Sequence, residues 1–339
     1  MKIETIILNE QRNVTLTCYL HDVGPKFGLT ERPAVIITPG GGYQYCSDRE
    51  ADPVAYPYMK AGYHAFILRY SVAEHATWPN PLDDFDQAIA LIRENAEKWH
   101  VCADKIAVIG FSAGGHLAAA AATLAKNRPK AAILGYGVVG HDVKGCNVSA
   151  PDTTLAVDKR TCPCFLFSSR TDELVPVQNT VKFMQALCDH NIAFESHIYA
   201  YGPHGFSTCD SSIQNLTAAP HCSRIPNWVG DSVGWLKDMF GDFVPGKGLM
   251  APACKPYSNG NNDPVLSIDC TIGHLLKNPA AAEVIAPIVD AIENFADVQG
   301  GDPMALFGAL PLTTALGYAK LPAETVAAMD NALRSIENI

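Results

Sequence analysis

Short apolar runs alternate with amphipathic stretches along most of this chain, and the alternation predicts strands and helices in turn. Glu4 to Leu8 and Val14 to Leu20 read as an antiparallel pair. Ala34 to Thr38 is a buried strand that ends in glycines, and His64 to Tyr70 is another strand. Pro81 to Trp99 has helical spacing, with proline at an early position and acids in the first turn. Ile106 to Ile109 predicts a strand, Leu117 to Lys126 a helix, and Ala131 to Tyr136 a further strand. Pro163 to Ser168 is the next strand, Val177 to His190 the next helix, and Phe194 to Tyr199 the last strand. A helix follows near Trp228 to Phe240. Continuous apolar strands separated by helices imply an α/β class with a mostly parallel sheet covered on both faces.

The pattern changes near Asp242. Residues 1–245 form the α/β domain, and 246–265, rich in Pro, Gly and Asn, read as a linker or irregular crossing. Residues 266–339 show no strand-like alternation and predict a small helical domain, with runs at Ile272 to Lys277, Ala280 to Glu293, Asp302 to Leu310 and Pro322 to Ile336. Ile285, Ile288, Val289 and Ile292 make an apolar face that has to be buried. The two places expected are the surface of the first domain and a neighbouring subunit, the latter making a homo-oligomer.

Composition narrows the classes. The net charge is −10, and no basic cluster interrupts it, which argues against nucleic acid. No apolar run approaches the roughly 20 residues of a membrane span. Met1 to Glu10 lacks the apolar core of a secretory signal, so a cytoplasmic location is expected. The 11 cysteines, odd in number and irregularly spaced, read as reduced thiols. Cys162-Pro-Cys164 is the closest pair and reads as two positions on one strand face, so no metal is expected. Cys46 and Cys209 lack the partners of a nucleophilic thiol.

The chemistry concentrates at Gly110-Phe-Ser-Ala-Gly114, a G-x-S-x-G pentapeptide between a strand and a helix. In that context the turn lifts the serine hydroxyl above the sheet, and Ser112 becomes a candidate nucleophile. Side chains two residues to either side would collide there, hence the glycines. An acid and a histidine should follow in that order. Asp172 ends the strand before Val175-Pro176 open a helix, with Glu173 as the neighbouring competitor. His204 lies in Tyr199-Ala-Tyr-Gly-Pro-His-Gly-Phe206, the loop after the last strand. His116, in the first turn after Ser112, reads as a packing or locally hydrogen-bonded residue. Acyl transfer through such a triad needs donors for an oxyanion. The Ala113 N–H is one, and Gly41 and Gly42, in Thr38-Pro-Gly-Gly-Gly-Tyr43, are the others expected. A phosphate cradle is the competing use of a glycine triplet, but no Lys-Ser/Thr follows it, and no cofactor is expected.

These motifs resemble a known family. Pro39-Gly-Gly-Gly-Tyr43, Ser47-Asp-Arg-Glu50, Ala61-Gly-Tyr63 with Leu68-Arg-Tyr70, Pro81 with Asp84, and Gly110 to His116 together look like α/β-hydrolase carbohydrate esterases. The group is that of acetyl-xylan esterases and bifunctional acetyl/feruloyl esterases, distantly similar to hormone-sensitive-lipase-like esterases. The likeness covers about residues 30 to 240 and implies the α/β-hydrolase fold. It places the family triad on Ser112, Asp172 and His204. In the lipase-like branch a histidine precedes the glycine triplet, where this chain has Pro39.

The segment between the strands ending at Tyr136 and starting at Pro163 is polar, unlike an apolar lipase lid. That pattern predicts an open, shallow site and a short acyl group on a bulky polar alcohol. The expected partner is a small-molecule or oligosaccharide ester, with an acetylated, imported xylo-oligosaccharide first. Feruloyl and other small carboxyl esters are the alternative. A serine peptidase of the prolyl-oligopeptidase-like class shares the triad order but normally carries a propeller domain. A non-catalytic carbohydrate-binding protein with a decayed triad is the remaining rival.

Overall fold

A computed structural model of the chain describes residues 1–213, 220–244, 247–252, 259–296 and 301–338. It divides into two compact units, Met1–Pro256 and Tyr257–Ile339.

The first unit is built on an eight-stranded sheet of order β1-β2-β4-β3-β5-β6-β7-β8. The strands are β1 (Lys2–Asn9), β2 (Val14–Leu20), β3 (Arg32–Thr38), β4 (His64–Arg69), β5 (Val101–Phe111), β6 (Ala131–Gly135), β7 (Cys164–Ser169) and β8 (Phe194–Tyr199). Strand β2 runs antiparallel to β1 and β4, and β3 to β8 are parallel. β3, β6 and β7 are buried at every position, which is why their sequences are continuous apolar runs and not alternating ones.

Both faces are covered. The helices are α1 (Asp52–Lys60), α2 (Asn80–Glu94), α3 (Ala96–Trp99), α4 (Ala113–Thr123), α5 (Gln178–Asp189) and α6 (Asn227–Phe240). Val35, Ile37, Ile109, Ile133 and Phe167 share one core with Val54 and Tyr58 of α1 and Trp228, Trp235 and Leu236 of α6. Along each strand the next residues, such as Ile36 and Val108, turn to the opposite face. Phe85, Ala88, Ile89 and Ile92 make the buried stripe of α2 at helical spacing.

Three helices depart from expectation. The helix expected over Pro81 to Trp99 is two. Asn95 leaves helical geometry, and its side-chain amide donates to the Leu91 carbonyl at 2.9 Å beside its own backbone N–H at 3.1 Å. Helix α1 went unread because Pro53 and Pro57 look like breakers; Pro53 sits in the first turn, and burial of Val54, Ala55, Tyr58 and Met59 outweighs the bond lost at Pro57. The third, α10, lies in the second unit.

That unit holds α7 (Ile272–Leu275), α8 (Pro279–Ala296), α9 (Pro303–Phe307), α10 (Leu312–Ala319) and α11 (Ala323–Arg334). They follow β9 (Phe243–Val244) and β10 (Gly248–Leu249), a small ribbon at the end of the first unit. Leu266, Ile272, Leu275, Ile285, Leu312 and Leu333 form the second unit's own core. The face on α8 is therefore buried within the unit: Ile285 and Ile288 are core, with Val289 and Ile292 packed against it. Asn338 ties the last residues to the first, its amide donating to the Asn261 and Asp263 carbonyls. Residues 259–265 belong to this unit, while much of the remaining expected linker, 253–258, lies outside the described residues.

Candidate active site

Three loops at the carboxyl ends of the parallel strands converge on Ser112. Ser112 follows β5 with φ 53° and ψ −118°, a strained geometry that turns strand into helix within one residue. Its N–H donates to the Gly135 carbonyl at 3.0 Å, and its own carbonyl accepts from His116 and Val138. The turn is thus fixed by β6 and by α4.

His204 lies on the loop after β8, and Asp172 follows β7. Ser112 Oγ and His204 Nε2 are 2.9 Å apart, and His204 Nδ1 and Asp172 Oδ2 are 2.7 Å apart. The carboxylate accepts a hydrogen bond from the Nδ1–H, leaving Nε2 as acceptor for the Ser112 hydroxyl. Asp172 Oδ1 accepts the N–H groups of Leu174 at 2.9 Å and Val175 at 2.8 Å, so both oxygens are held. Glu173, the competing acid, is exposed.

The loop after β3 packs directly on this turn. A Cβ built at Gly40 would stand 2.8 Å from the Phe111 carbonyl and 3.0 Å from Ser112 Cβ, so only glycine fits. Gly41 and Gly42 have φ of 131° and 61°, and Tyr43 continues the left-handed path at 60°. The N–H groups of Gly41, Gly42 and Ala113 have no partner among the described residues. Those of Gly40 and Ser112 are taken, by Glu50 and Gly135.

His116 keeps that loop in place. It is fully buried, with Tyr43 Oη at 2.6 Å from Nδ1 and the Pro151 carbonyl at 2.8 Å from Nε2. A carbonyl can only accept, so Nε2 carries the proton and the tyrosine hydroxyl donates to Nδ1. The local role read from the sequence is therefore a clamp between the glycine loop, α4 and the segment after β6. Burial lowers the His116 pKa to about 4, so the native ring stays neutral well below the range where an unfolded histidine protonates. Unfolding then takes up a proton between about pH 6.5 and 4, and stability falls as pH drops through that window, by roughly 3 kcal/mol in full. Urea unfolding of wild type and His116→Gln at pH 7 and 4.5 checks this: the variant should lose less on acidification. An identical loss in both would exclude His116 as a source.

The cleft over Ser112 has a volume of about 500 Å³. Besides Ser112, His204 and the glycine loop, it is lined by Tyr45, Arg49, Asp142 and Leu174. The segment after β6 was expected only as a polar connection that leaves the site open. Instead Val138, Asp142, Gly145 and Cys146 line the cleft. Asn179 of α5 holds that wall, accepting the Gly140 N–H at 2.9 Å and donating to Asp142 Oδ2 at 2.8 Å. The loop after His204 contributes Gly205, whereas Phe206 and Trp228 are core residues. A larger apolar hollow, about 640 Å³, lies among α8, α9 and α10, but its lining carries no acid, histidine or serine. Catalytic geometry therefore decides for the Ser112 cleft. Among the described residues no group of three or more metal-ligating side chains occurs, and no helix is long and apolar enough to cross a membrane.

The BD-FAE family model matches residues 23–144, from before β3 into the segment after β6. The crystal structure of MGS-M1, an α/β hydrolase enzyme from a Medee basin deep-sea metagenome library, is 42% identical, with a TM-score of 0.66 over 70% of this chain and 98% of that one. The chain belongs to the α/β-hydrolase family. The acetyl ester-xyloside bifunctional hydrolase of Caldicellulosiruptor lactoaceticus is 26% identical to this hydrolase, with a TM-score of 0.60 over 70% of the chain and 95% of that protein. An acetylxylan esterase of Xylanibacter ruminicola is 26% identical over 228 residues, 60% of this chain and 45% of that protein. The hydrolase spans less than half the length of the curated relatives it first matches, 35% and 45%.

Sequence reasoning quoted Glu50 only as the end of the Ser47-Asp-Arg-Glu50 resemblance and gave it no role, yet it lines the cleft and is buried.

Proposed function

We propose that the chain is a serine esterase that removes acetyl groups from carbohydrate, with acetylated xylo-oligosaccharides as the first substrate class. The continuous relay from Ser112 Oγ through His204 to Asp172, at the floor of a cleft, carries this reading. As Ser112 Oγ attacks the acyl carbon, its proton passes to His204 Nε2. Asp172 holds the resulting imidazolium, and its second oxygen, fixed by two N–H groups, keeps the carboxylate from swinging away. The carbonyl oxygen gains charge beside the N–H groups of Ala113, Gly41 and Gly42, at the positive end of α4. His204 returns the proton to the departing sugar hydroxyl, leaving acetyl on Ser112. Water, activated by the same histidine, then releases acetate.

The walls support a sugar over a long acyl chain. Arg49, Asp142, Ser47 and the backbone of the glycine loop give the cleft polar groups able to hold sugar hydroxyls. The similarity to the acetylxylan esterase and the acetyl ester-xyloside hydrolase supports the same class. kcat/KM should therefore fall from 4-nitrophenyl acetate to butyrate to octanoate, and mass spectrometry should show acetate lost from acetylated xylo-oligosaccharides. A preference for octanoate would overturn the carbohydrate reading. Turnover of feruloylated oligosaccharides above acetylated ones would move it to the feruloyl alternative.

A further inference from the structure

The mechanism above leaves one buried charge at the site unused. Glu50 follows the glycine loop in sequence and is 2% exposed. Its Oε2 accepts the Gly40 N–H at 2.8 Å, and its Oε1 lies 2.6 Å from Tyr136 Oη. Tyr136 Oη in turn accepts the Ser207 N–H at 3.0 Å, so its own proton is free to point at Glu50. Ser207 is further held by its hydroxyl, which donates to the Arg49 carbonyl at 2.5 Å, and by its carbonyl, which accepts the Trp228 indole N–H at 2.9 Å. The Tyr136 ring lies edge-on to His204, with centroids 5.1 Å apart.

The two ends of this network carry different parts of the site. Gly40 precedes the N–H groups offered to the oxyanion. Ser207 follows His204 on the loop that carries the base. Both linking residues, Tyr136 at φ 35° and Ser207 at φ 47°, sit in left-handed geometry that only outside contacts maintain.

We propose that Glu50 is a positioning residue, fixing the oxyanion loop through Gly40 and the histidine loop through Tyr136 and Ser207 in one catalytic register. Both its oxygens face donors, which is the arrangement an ionised carboxylate requires. Burial pushes the Glu50 carboxyl up, and the Tyr136 and Gly40 donors pull against that. A side chain at Gly40 would approach Glu50 Oε2 to 2.7 Å, so glycine and acid are matched. An acid used only as a helix start would need neither contact.

This inference rests on the esterase reading, and its test separates the two. Wild type, Glu50→Gln, Glu50→Ala and Tyr136→Phe are assayed on 4-nitrophenyl acetate, with thermal unfolding of each. Gln can still accept the Gly40 N–H but has no charge and turns a donor toward Tyr136. kcat should drop about tenfold in Glu50→Gln and about a hundredfold in Glu50→Ala, with KM within about twofold of wild type. Tyr136→Phe should lose kcat too, and adding it to Glu50→Ala should cost little more, because the two residues act as one unit. A covalent trifluoromethyl ketone, which forms a tetrahedral oxyanion on the serine, should weaken in step with kcat. A purely structural role would lower the melting temperature and leave kcat per folded molecule unchanged. That result, or a rise in KM at constant kcat, overturns the proposal. So does loss of folding in both Glu50 variants with full activity in Tyr136→Phe. A wild type that cleaves no ester would instead fail the esterase reading.

Discussion

Ser112→Ala and His204→Ala should each lower kcat on 4-nitrophenyl acetate by at least about 10³-fold, with the melting temperature unchanged. The expectation follows from how the three side chains are joined. Among the described residues the serine hydroxyl has one base within reach, His204 Nε2 at 2.9 Å, and none of the others there can take the proton at that distance. Removing the hydroxyl or the ring therefore abolishes the same step, and the losses should not add in the double variant. Neither change disturbs what builds the turn, because Ser112 is fixed through its backbone N–H and carbonyl. Asp172→Asn should cost less than the serine change. Its carbonyl can still accept from Leu174 and Val175, but its amide then faces the Nδ1 proton and favours the wrong tautomer. Glu173→Gln should be silent. Steady-state rates with unfolding curves decide the matter: full activity in Asp172→Asn with loss in Glu173→Gln would reverse the choice of acid.

What the sequence made legible is what backbone period and strict local chemistry encode. The parallel strands read clearly because burial on both faces demands unbroken apolar runs, as in Ala34 to Ile37 and Ile106 to Ile109. The candidate site read clearly because each group sits at a fixed place relative to a strand end: Ser112 after β5, Asp172 after β7, His204 after β8. Helix α1 did not, since the cost of Pro57 is visible in the sequence and the burial of Tyr58, whose hydroxyl meets Ser232 of α6 at 2.8 Å, is not. At Asn95 the side-chain amide and the backbone N–H share the Leu91 carbonyl where the helix ends, a local contact that periodicity cannot register. Helix α10 went unread because Thr313, Thr314 and Gly317 are poor helix formers, and burial of Leu312 and Leu316 decides it. Glu50 was hidden for the same kind of reason. Its partners, Gly40 and Tyr136, come from different loops, and only the fold shows that one carboxylate spans them.

The second large effect concerns stability. Gly110→Ala and Gly114→Ala should each cost more than about 4 kcal/mol and are expected to abolish soluble folded protein. Neither glycine has positive φ, so the requirement is space and not backbone freedom. A Cβ at Gly114 would stand 2.0 Å from the Thr38 carbonyl oxygen and 2.4 Å from that of Pro39. A Cβ at Gly110 would stand 2.0 Å from the Gly114 carbonyl oxygen. All three obstacles are backbone, at the point where β3, β5 and the first turn of α4 meet, and Thr38 Oγ1 locks that junction by donating to the Gly114 carbonyl at 2.9 Å. No rotamer change relieves such a clash; the loop after β3 would have to move off the turn, taking Gly41 and Gly42 away from Ser112. Gly234→Ala in α6 is the control. Nothing lies within 4 Å of its Cβ, and alanine there should raise stability by up to about 1 kcal/mol by restricting the unfolded chain. Soluble yield and thermal unfolding of the three variants report the difference. A folded Gly114→Ala with wild-type melting temperature would mean that the loop carrying Gly41 and Gly42 does not press on the helix start as the structure places it, and the oxyanion assignment would fall with it.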